Sequence, residues 1–374
     1  MKIAVLGAGN AGTAVAADLS LRDHDVTLIK TSAALHNDHF NWLLSNDGIV
    51  ELIEGHKKTK AKIACVTRDL RKIKECDIII IYIQTNYHEE LIQRINPWLM
   101  DDQIILINPG YLSTAYILKH CDQDLTVVEA QSSFIDCRIS DPGKIKIGFR
   151  NVRNPLGVFP RDNLPNAQKK LSKLGFPFTW LNSVVEAALH NPNLIVHTVG
   201  AIMSIPRIEK THGDYCMYHE VFTPSVWNIL DALDKEKMDV LETLGCTRVP
   251  YVEACKFRNT LDDTRDAKET FFWYANMPTR AKGPTDVNSR YITEDVPQGL
   301  VLLESLGQTL NIPTPVATAL IEIASAALKR NFREEGRTLE RLGYNQIYRI
   351  LSDIDDFDNQ IAFSIIEQLP ETGS

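Results

Sequence analysis

Short apolar runs alternate with amphipathic segments through the first half of the chain, and this pattern predicts alternating strands and helices. The densest run, residues 77–83, contains five isoleucines, which is typical of a strand buried on both faces. The predicted strands are residues 2–6, 25–29, 62–66, 77–83, 103–108 and 125–130, with 144–149 and 156–159 as a final pair. We therefore predict a doubly wound, mostly parallel sheet.

From about Trp180 onward the strand signals stop, and apolar residues recur at helical spacing. The predicted helices are residues 193–205, 224–244, 250–256, 296–310 and 315–329. A chain of 374 residues is long for a single core. We predict an α/β domain over residues 1–182 and an all-helical domain over 183–365. Residues 366–374 are expected to form a flexible tail that could derive from cloning.

The first predicted strand runs directly into Gly7-Ala8-Gly9-Asn10-Ala11-Gly12, which fits the pattern G-x-G-x-x-G, and a helical segment follows. In this context the first glycine permits a tight turn, and the second lets backbone N–H groups approach a pyrophosphate. The third lets the helix lie close to the strand. The sequence thus predicts a Rossmann-type fold whose residues Gly7, Gly9, Asn10, Ala11 and Gly12 contact a dinucleotide. The alternative is a glycine-rich turn that binds nothing.

The end of the second predicted strand bears on which dinucleotide is bound. An NAD-specific fold usually has Asp or Glu there, bonded to the ribose hydroxyls. This chain has Lys30, Thr31 and Ser32 instead, and an ammonium flanked by hydroxyls would attract a 2′-phosphate. The sequence therefore favours NADP and leaves NAD open. The alternative is that Lys30 is an ordinary solvated surface charge.

Composition narrows the class of protein. The formal charge of −8 argues against a nucleic-acid surface. The seven cysteines show no C-x-x-C spacing, which favours reduced thiols over a disulfide framework or a metal site. No basic-then-apolar leader is present, and the longest apolar runs are too short to cross a bilayer. We expect a cytoplasmic protein with small-molecule partners, without nucleic acid, membrane or metal; a homodimer stays open.

His197 is the first candidate for chemistry. Asn193 precedes it by one helical turn, and Gly200 and Ala201 follow it by three and four residues, so all share one helix face. Small neighbours would leave open space beside the imidazole, which a substrate could fill. We predict a catalytic role for His197 and a substrate contact for Asn193. The alternative is a satisfied histidine in an apolar core.

Three further side chains carry charge suited to a site. Asp295 could cap the helix that follows it, or could orient and stabilise the His197 imidazole as carboxylates do in other catalytic pairs. Arg290 could clamp a carboxylate with two parallel hydrogen bonds, or form a surface salt bridge. Glu129 ends a predicted strand, where open α/β sheets bind ligands, although it could also be a loop carboxylate without one.

Ordered motifs along the chain resemble the octopine/nopaline (opine) dehydrogenase family, from residue 1 to about 351. They are Gly7-Ala8-Gly9-Asn10-Ala11-Gly12, Asn108-Pro109-Gly110, Glu129 with Cys137-Arg138, Asn191-Pro192-Asn193 with His197, Thr223-Pro224-Ser225-Val226, Asp234-Lys235-Glu236, Arg290 with Glu294-Asp295-Val296-Pro297, and Gly336-Arg337-Thr338-Leu339-Glu340 with Leu342-Gly343. The resemblance implies reductive joining of an amino acid to an α-keto acid such as pyruvate, through an imine and with NADH or NADPH. It assigns His197 as the catalytic histidine, Asp295 as its partner and Arg290 to substrate carboxylate. Lys30 departs from the acid expected of an NAD user.

Two alternatives remain at this stage. A hydroxy-acid reductase of the ketopantoate reductase or 6-phosphogluconate dehydrogenase type shares the two-domain plan but relies on a lysine in the first long helix after the nucleotide domain. Residues 191–206 contain no lysine, and His197 stands there instead. A catalytically silent NADP-binding redox sensor is the non-enzymatic alternative.

Overall fold

The structure is a computed structural model that describes residues 1–33, 35–279, 282–355 and 357. The chain divides into two compact units, Met1–Trp180 and Leu181–Ser374. The predicted end of the helical domain at residue 365 and the predicted tail over 366–374 lie outside the described residues.

The first unit is built on an eight-stranded sheet with the order β12-β11-β8-β7-β6-β1-β2-β5. Neighbouring strands run parallel, except that β11 is antiparallel to β8. The strands of this unit are β1 Lys2–Leu6, β2 Asp25–Ile29, β3 Ile49–Glu54, β4 Lys57–Lys62, β5 Cys65–Thr67, β6 Ile78–Ile81, β7 Ile104–Ile107, β8 Thr126–Ala130, β9 Ile135–Asp141, β10 Lys144–Arg150, β11 Asn154–Phe159 and β12 Phe178–Trp180. Every residue of β6 and β7 is buried, so the isoleucine-rich runs form the centre of the sheet. The predicted doubly wound, mostly parallel sheet is confirmed.

A second sheet, with the order β4-β3-β10-β9, was not predicted. The predicted strand over 62–66 joins the end of β4 to the start of β5, which belong to different sheets. Strand β4 lies at the edge of its sheet, and only its Ala61 is buried. Its other positions are mostly exposed lysines, so β4 has no hydrophobic pattern from which a strand could be predicted. The prediction that residues 144–149 extend the main sheet is also wrong, since β10 pairs with β3 and β9. Alternating apolar residues identify a half-buried strand but not its partners.

The second sheet explains the burial of the first helix. The helices of this unit are α1 Asn10–Ser20, α2 Asn37–Ser45, α3 His88–Ile95, α4 Thr114–His120 and α5 Leu164–Leu171. All residues from Gly12 to Leu19 in α1 are buried, and the apolar ones share one core with residues of both sheets, including Val50 and Ile145. The helix that follows the glycine turn is thus enclosed rather than amphipathic, which holds the turn in place.

We expect His39 in α2 to make this unit sensitive to acid. Its ring is 2% exposed, Gly143 N–H donates to Nδ1 over 3.1 Å, and burial lowers the His39 pKa from 6.5 to about 4. Between these values the unfolded chain binds a proton that the native protein does not, so stability is complete above pH 6.5 and is lost as pH falls toward 4. The loss is at most about 3 kcal/mol. Denaturant unfolding at several pH values should show a smaller acid loss for His39→Gln, and no change for His56→Gln at an exposed turn. Equal acid loss in the wild type and in His39→Gln would contradict this assignment.

Every regular element among the described residues of the second unit is a helix, as predicted. Its helices are α6 Val184–Leu189, α7 Pro192–Met203, α8 Ile205–Thr211, α9 Met217–Glu220, α10 Pro224–Thr243, α11 Tyr251–Asn259, α12 Ala267–Ala275, α13 Arg290–Thr293, α14 Val301–Thr309, α15 Pro315–Leu328, α16 Phe332–Glu335, α17 Leu339–Leu342 and α18 Tyr344–Leu351. Between α13 and α14 lies a π-helical turn, Val296–Leu300, which we call the π turn. Helix α7 packs against α10, α11, α13, α15 and the π turn, so it is the central helix of this unit. Within the described ranges, no helix combines the length and apolar character needed to span a membrane.

Candidate active site

The three glycines of the turn between β1 and α1 differ in what surrounds them. Gly7 has φ +116°, and a Cβ there would lie 2.2 Å from the Tyr82 carbonyl oxygen. A Cβ on Gly12 would lie 1.9 Å from the Gly7 carbonyl oxygen. Both positions therefore require glycine for the fold itself. A Cβ on Gly9 would meet only the His36 ring, at an ordinary 3.7 Å, so protein atoms leave room beside Gly9. That room fits the close approach of a pyrophosphate.

Asn10 and Ala11 continue this turn into α1. The Asn10 side-chain oxygen accepts a hydrogen bond of 2.8 Å from Ile139 N–H, so it ties α1 to β9. Ala11 is half-buried and packs against the core. Gly9 occupies the cap position of the helix without a side-chain capping bond. The groups of this segment suited to a phosphate are therefore backbone N–H groups at the helix N-terminus.

Lys30 is not the exposed charge that one interpretation of the sequence expected. It is 5% exposed, and its ammonium donates to the Leu35 carbonyl over 2.5 Å. Burial, and secondarily the charge of Arg68, lower the Lys30 pKa. Direct contact of Lys30 with a ligand would require breaking its hydrogen bond to the Leu35 carbonyl. Without that change, Lys30 can attract an anion only through the electrostatic field of its buried charge.

Two arginines that the sequence analysis missed hold Thr31 and Ser32. Arg94 donates to the Thr31 carbonyl over 3.1 Å, and Arg68 donates to the Ser32 carbonyl over 2.9 Å. Arg68 follows β5, and Lys30 N–H donates to the Thr67 carbonyl, so strand pairing brings Arg68 beside the end of β2. Arg68 is exposed and, among the described residues, forms no ion pair. The position of Arg68 beside Ser32 follows from the pairing of β5 with β2, which the sequence pattern did not predict.

Glu129 is a predicted substrate contact, and protein groups already bond its carboxylate. Its side chain is fully buried at the end of β8, where the carboxylate accepts from Leu112 N–H at 3.0 Å and from Thr114 N–H at 2.8 Å. The Thr114 hydroxyl adds a third bond of 2.7 Å. Tyr111 and Leu112 both have positive φ, a conformation that side chains disfavour. Glu129 therefore anchors a strained loop, the role that its local sequence left as the alternative.

His197 and Asp295 form a buried pair in the second unit. His197 Nδ1 and Asp295 Oδ2 are 2.8 Å apart, and the side chains are 7% and 2% exposed. Tyr291 stacks on the imidazole with ring centroids 3.8 Å apart and an angle of 31°. Because Tyr291 and Asp295 are one helical turn apart, a single face of this segment contacts the ring twice. The two contacts fix both the tilt and the rotation of the imidazole.

The alternative that Asp295 merely caps a helix is not what the structure shows. Its side chain makes no capping hydrogen bond, and its φ of −73° and ψ of −26° are helical rather than those of a cap. The segment from α13 through the π turn to α14 is nearly continuous, whereas the sequence predicted a helix that begins at Val296. The carboxylate is therefore directed across to α7.

Asn193 precedes His197 by one helical turn, and Arg290 precedes Asp295 by five residues on the same segment. The Arg290 guanidinium is 47% exposed and lies 3.9 Å from a Glu294 carboxylate oxygen, which is a loose ion pair. Surrounding protein lowers the Arg290 pKa, but the Glu294 and Asp295 carboxylates outweigh this and leave it raised. A charged group that is enclosed yet reached by solvent suits an incoming anion. Asn193 is half-buried at the first turn of α7.

The expected open space beside His197 is absent on the side of Gly200. A Cβ there would lie 2.8 Å from Met217 Sδ and 2.9 Å from Phe222 Cζ. Gly200 therefore allows neighbouring residues to pack tightly against α7. The sequence argument was wrong here because a missing side chain signals close approach of some group, and in this case the group is protein.

The buried pair is equipped for proton transfer. An ionised carboxylate only accepts hydrogen bonds, so His197 Nδ1 carries the proton and Nε2 is the ring atom that accepts one. When the ring becomes imidazolium, Asp295 stabilises its charge. Within the described residues, no group of three or more His, Cys, Asp or Glu side chains could hold a metal ion.

Comparison with known proteins places both units. Residues 180–328 match the family model described as NAD/NADP octopine/nopaline dehydrogenase, alpha-helical domain. Residues 3–152 match the model of ketopantoate reductase PanE/ApbA. The first unit therefore resembles that of the hydroxy-acid reductases considered as an alternative. The unit that holds His197 and Asp295 matches the octopine/nopaline dehydrogenase model.

Relatives match over nearly the whole chain. An opine dehydrogenase of Arthrobacter sp. (strain 1C) is 27% identical over 91% of this chain and 94% of its own length. Vitopine synthase of Allorhizobium ampelinum is 24% identical over 95% and 99%. Among solved structures, octopine dehydrogenase with NADH and agmatine has a TM-score of 0.74 at 15% identity, covering 94% of this chain and 98% of that one. Yersinopine dehydrogenase with NADP⁺ has a TM-score of 0.67 at 15% identity, covering 98% of both chains. The solved structures establish the fold, and the full-length relatives together with the helical-domain match show that this chain is similar to the octopine/nopaline (opine) dehydrogenase family over nearly its whole length.

Proposed function

We propose that this protein is an opine dehydrogenase that joins an amino acid to an α-keto acid and reduces the resulting imine with NAD(P)H. The observation that carries the proposal is the buried pair of His197 and Asp295, with the half-exposed Arg290 on the same helical segment as Asp295. An acid–base group beside a cation suits a substrate that exchanges protons and carries a carboxylate.

The reaction consumes one amine, one keto acid, one reduced nucleotide and one proton, and it releases water, the oxidised nucleotide and a secondary amine. The amine attacks the carbonyl carbon to give a carbinolamine, which loses water to form an imine. When bound, the reduced nicotinamide supplies the hydride that the imine carbon receives. His197 Nε2 accepts a proton from the attacking nitrogen and returns one to the departing hydroxyl, while Asp295 stabilises the imidazolium between these steps.

We propose that Arg290 binds the keto-acid carboxylate. Its planar guanidinium can donate two parallel hydrogen bonds to a carboxylate, and its ion pair with Glu294 is long enough to be exchanged for a ligand. Pyruvate is the proposed keto acid, because octopine dehydrogenase is described with NADH and pyruvate in one structure and with NADH and L-arginine in another. Asn193 is proposed as a further substrate contact.

The Arg290→Lys variant is expected to raise the KM for the keto acid by about 10-fold, since an ammonium cannot reproduce the planar fork. The KM for the amino acid should change less. Arg207→Lys, at an exposed arginine paired with Glu220 in the same unit, serves as the matched control. Initial rates with each substrate varied in turn measure both constants, and equal changes in both would make Arg290 structural.

We further propose that the protein prefers NADPH. Related structures are described with NADH and with NADP⁺, so relatedness leaves the choice open. The end of β2 lacks the acidic residue typical of NAD-specific folds, and an exposed Arg68 lies beside Ser32 with the buried Lys30 charge behind it. Arg68, rather than Lys30, is the proposed ligand of the 2′-phosphate, together with the backbone and hydroxyls of Thr31 and Ser32.

Replacing Arg68 with alanine is expected to reduce kcat/KM for NADPH by roughly 10- to 100-fold, the value of a charge-assisted hydrogen bond, and to leave kcat/KM for NADH nearly unchanged. Arg71→Ala, three residues further on and paired with Asp69, is the control for a change of surface charge. Calorimetric binding of 2′,5′-ADP against 5′-ADP gives the same comparison without catalysis. A wild-type preference for NADH would reject this site.

A matrix of amino acids against α-keto acids, with oxidation of NADPH and NADH followed by absorbance, tests the reaction itself. Turnover should require both organic substrates, and mass spectrometry should show a product with the mass of the reduced conjugate. Oxidation with a keto acid alone would instead identify a hydroxy-acid reductase. Nucleotide binding without turnover on any pair would favour a sensor.

A further inference from the structure

The π turn begins immediately after Asp295. Val301 N–H donates to the Val296 carbonyl, a bond five residues apart instead of four. Pro297 has no N–H, so it cannot continue the α-helical ladder back to the Thr293 carbonyl. Such turns are rare and interrupt an otherwise regular helix, often at functional positions. Here the turn adjoins the residue whose carboxylate must point at His197.

Gly336 and Arg337 pack against this turn from the segment after α16. Arg337 N–H donates to the Pro297 carbonyl over 2.9 Å, and Arg337 Nε donates to the Gln298 side-chain oxygen over 2.6 Å. Arg337 has no exposed surface. A Cβ on Gly336 would lie 2.7 Å from the Pro297 carbonyl oxygen, so glycine is needed for this close approach. The Gly-Arg pair seen in the sequence is thus a clamp on the π turn.

The clamp and the catalytic pair share one short segment. Asp295 contacts His197, and Gln298, three residues later, contacts Arg337. Asp295 and Gln298 are 2% and 5% exposed, so both side chains are fixed by packed neighbours rather than by solvent. In a close-packed interior a displacement of one end of the turn shifts the other. The hydrogen bond from the buried Arg337 guanidinium to the Gln298 amide oxygen involves a charged donor, so it fixes the Gln298 end of the turn strongly.

We propose that Arg337 is a positioning residue that acts through Gln298 and Pro297 to hold the π turn, so that the Asp295 carboxylate stays aligned with His197. Its catalytic consequence rests on the proposed function of the pair. Arg337 touches neither substrate nor nucleotide in this role. Its effect is expected on kcat, because misalignment impairs proton transfer without removing a binding contact.

The test compares Arg337→Lys and Gln298→Leu with a matched control. Each should lower kcat by about 10- to 100-fold with little change in either KM, since misplacement of a catalytic group by about an ångström has effects of this size. Arg333→Met is the control, because the Arg333 guanidinium pairs with Glu304 in α14 and Glu322 in α15 rather than with a residue of the π turn. The double variant of Arg337 and Gln298 should be no slower than the worse single variant, since both single variants remove the same side-chain hydrogen bond.

A second readout does not depend on turnover. In the substrate-free protein, the proton on His197 Nδ1 should give a downfield NMR resonance that shifts or broadens in Arg337→Lys and in Gln298→Leu but persists in Arg333→Met. If the wild type reduces no pair of substrates, the proposed function fails, yet this resonance still decides whether Arg337 aligns the pair. If Arg337→Lys does not fold, Gln298→Leu tests the same contact. An unchanged resonance and unchanged kcat in Gln298→Leu would overturn the proposal.

Discussion

Replacement of His197 by alanine is expected to lower kcat by about two to four orders of magnitude, the usual contribution of general acid–base catalysis. The loss follows from the buried bond to Asp295, which leaves Nε2 as the proton-transfer atom. Nucleotide affinity should stay near normal, because the glycine turn that fits the dinucleotide belongs to the other unit. Steady-state rates and fluorescence titration with NADPH measure the two quantities.

His219→Ala is the matched control, since His219 is an exposed histidine of the same unit whose ring bonds a backbone carbonyl. It should retain nearly full turnover. If His197→Ala kept more than about a third of the wild-type kcat, far above the level expected for a lost acid–base group, His197 would be only a packing residue.

The second large effect is expected for Asp295→Asn. The substitution keeps the size of the side chain and removes its charge, so the imidazolium loses its stabilising carboxylate. Asparagine can also donate to Nδ1 and thereby favour the wrong tautomer. We expect kcat to fall by about two to four orders of magnitude while the fold is retained. Asp295 makes no capping bond, so we expect the substitution to leave the thermal unfolding temperature nearly unchanged. If Asp295 had only a structural role, the unfolding temperature would fall instead of kcat. Rates and thermal unfolding of the same preparation separate these outcomes.

Local chemistry explains why some features could be predicted from sequence. Gly7 has φ +116° in the turn, and Gly12 approaches the Gly7 carbonyl, so both requirements arise within one strand–turn–helix unit and their spacing carries the prediction. The isoleucine runs of β6 and β7 predicted the sheet because a strand buried on both faces needs apolar residues at every position. The pairing of His197 with Asp295 was one of two interpretations of Asp295 in the sequence, and the resemblance to a family favoured it. The structure places the two side chains in contact.

Other side chains have surroundings that the sequence did not reveal. Lys30 looked like a surface charge or a ligand contact, but its ammonium donates a hydrogen bond to the Leu35 carbonyl, five residues further along the chain. Glu129 looked open at the end of a strand, but the loop that reaches Thr114 occupies its carboxylate. Gly200 looked like empty space, but Met217 fills it.

The sequence by itself determined the glycine turn, most strands of the main sheet, the helical second unit and the resemblance to a family, because these depend on residues close in the chain or on motif order. Tertiary structure alone decided that Arg68 stands beside Ser32, that a second sheet encloses α1, and that Arg337 clamps the turn after Asp295. Each of these contacts joins residues more than thirty positions apart along the chain. Periodicity and motif spacing depend on residues that are close in the chain. A long-range contact depends on which polar groups become buried together in the folded protein, where each needs a hydrogen-bond partner.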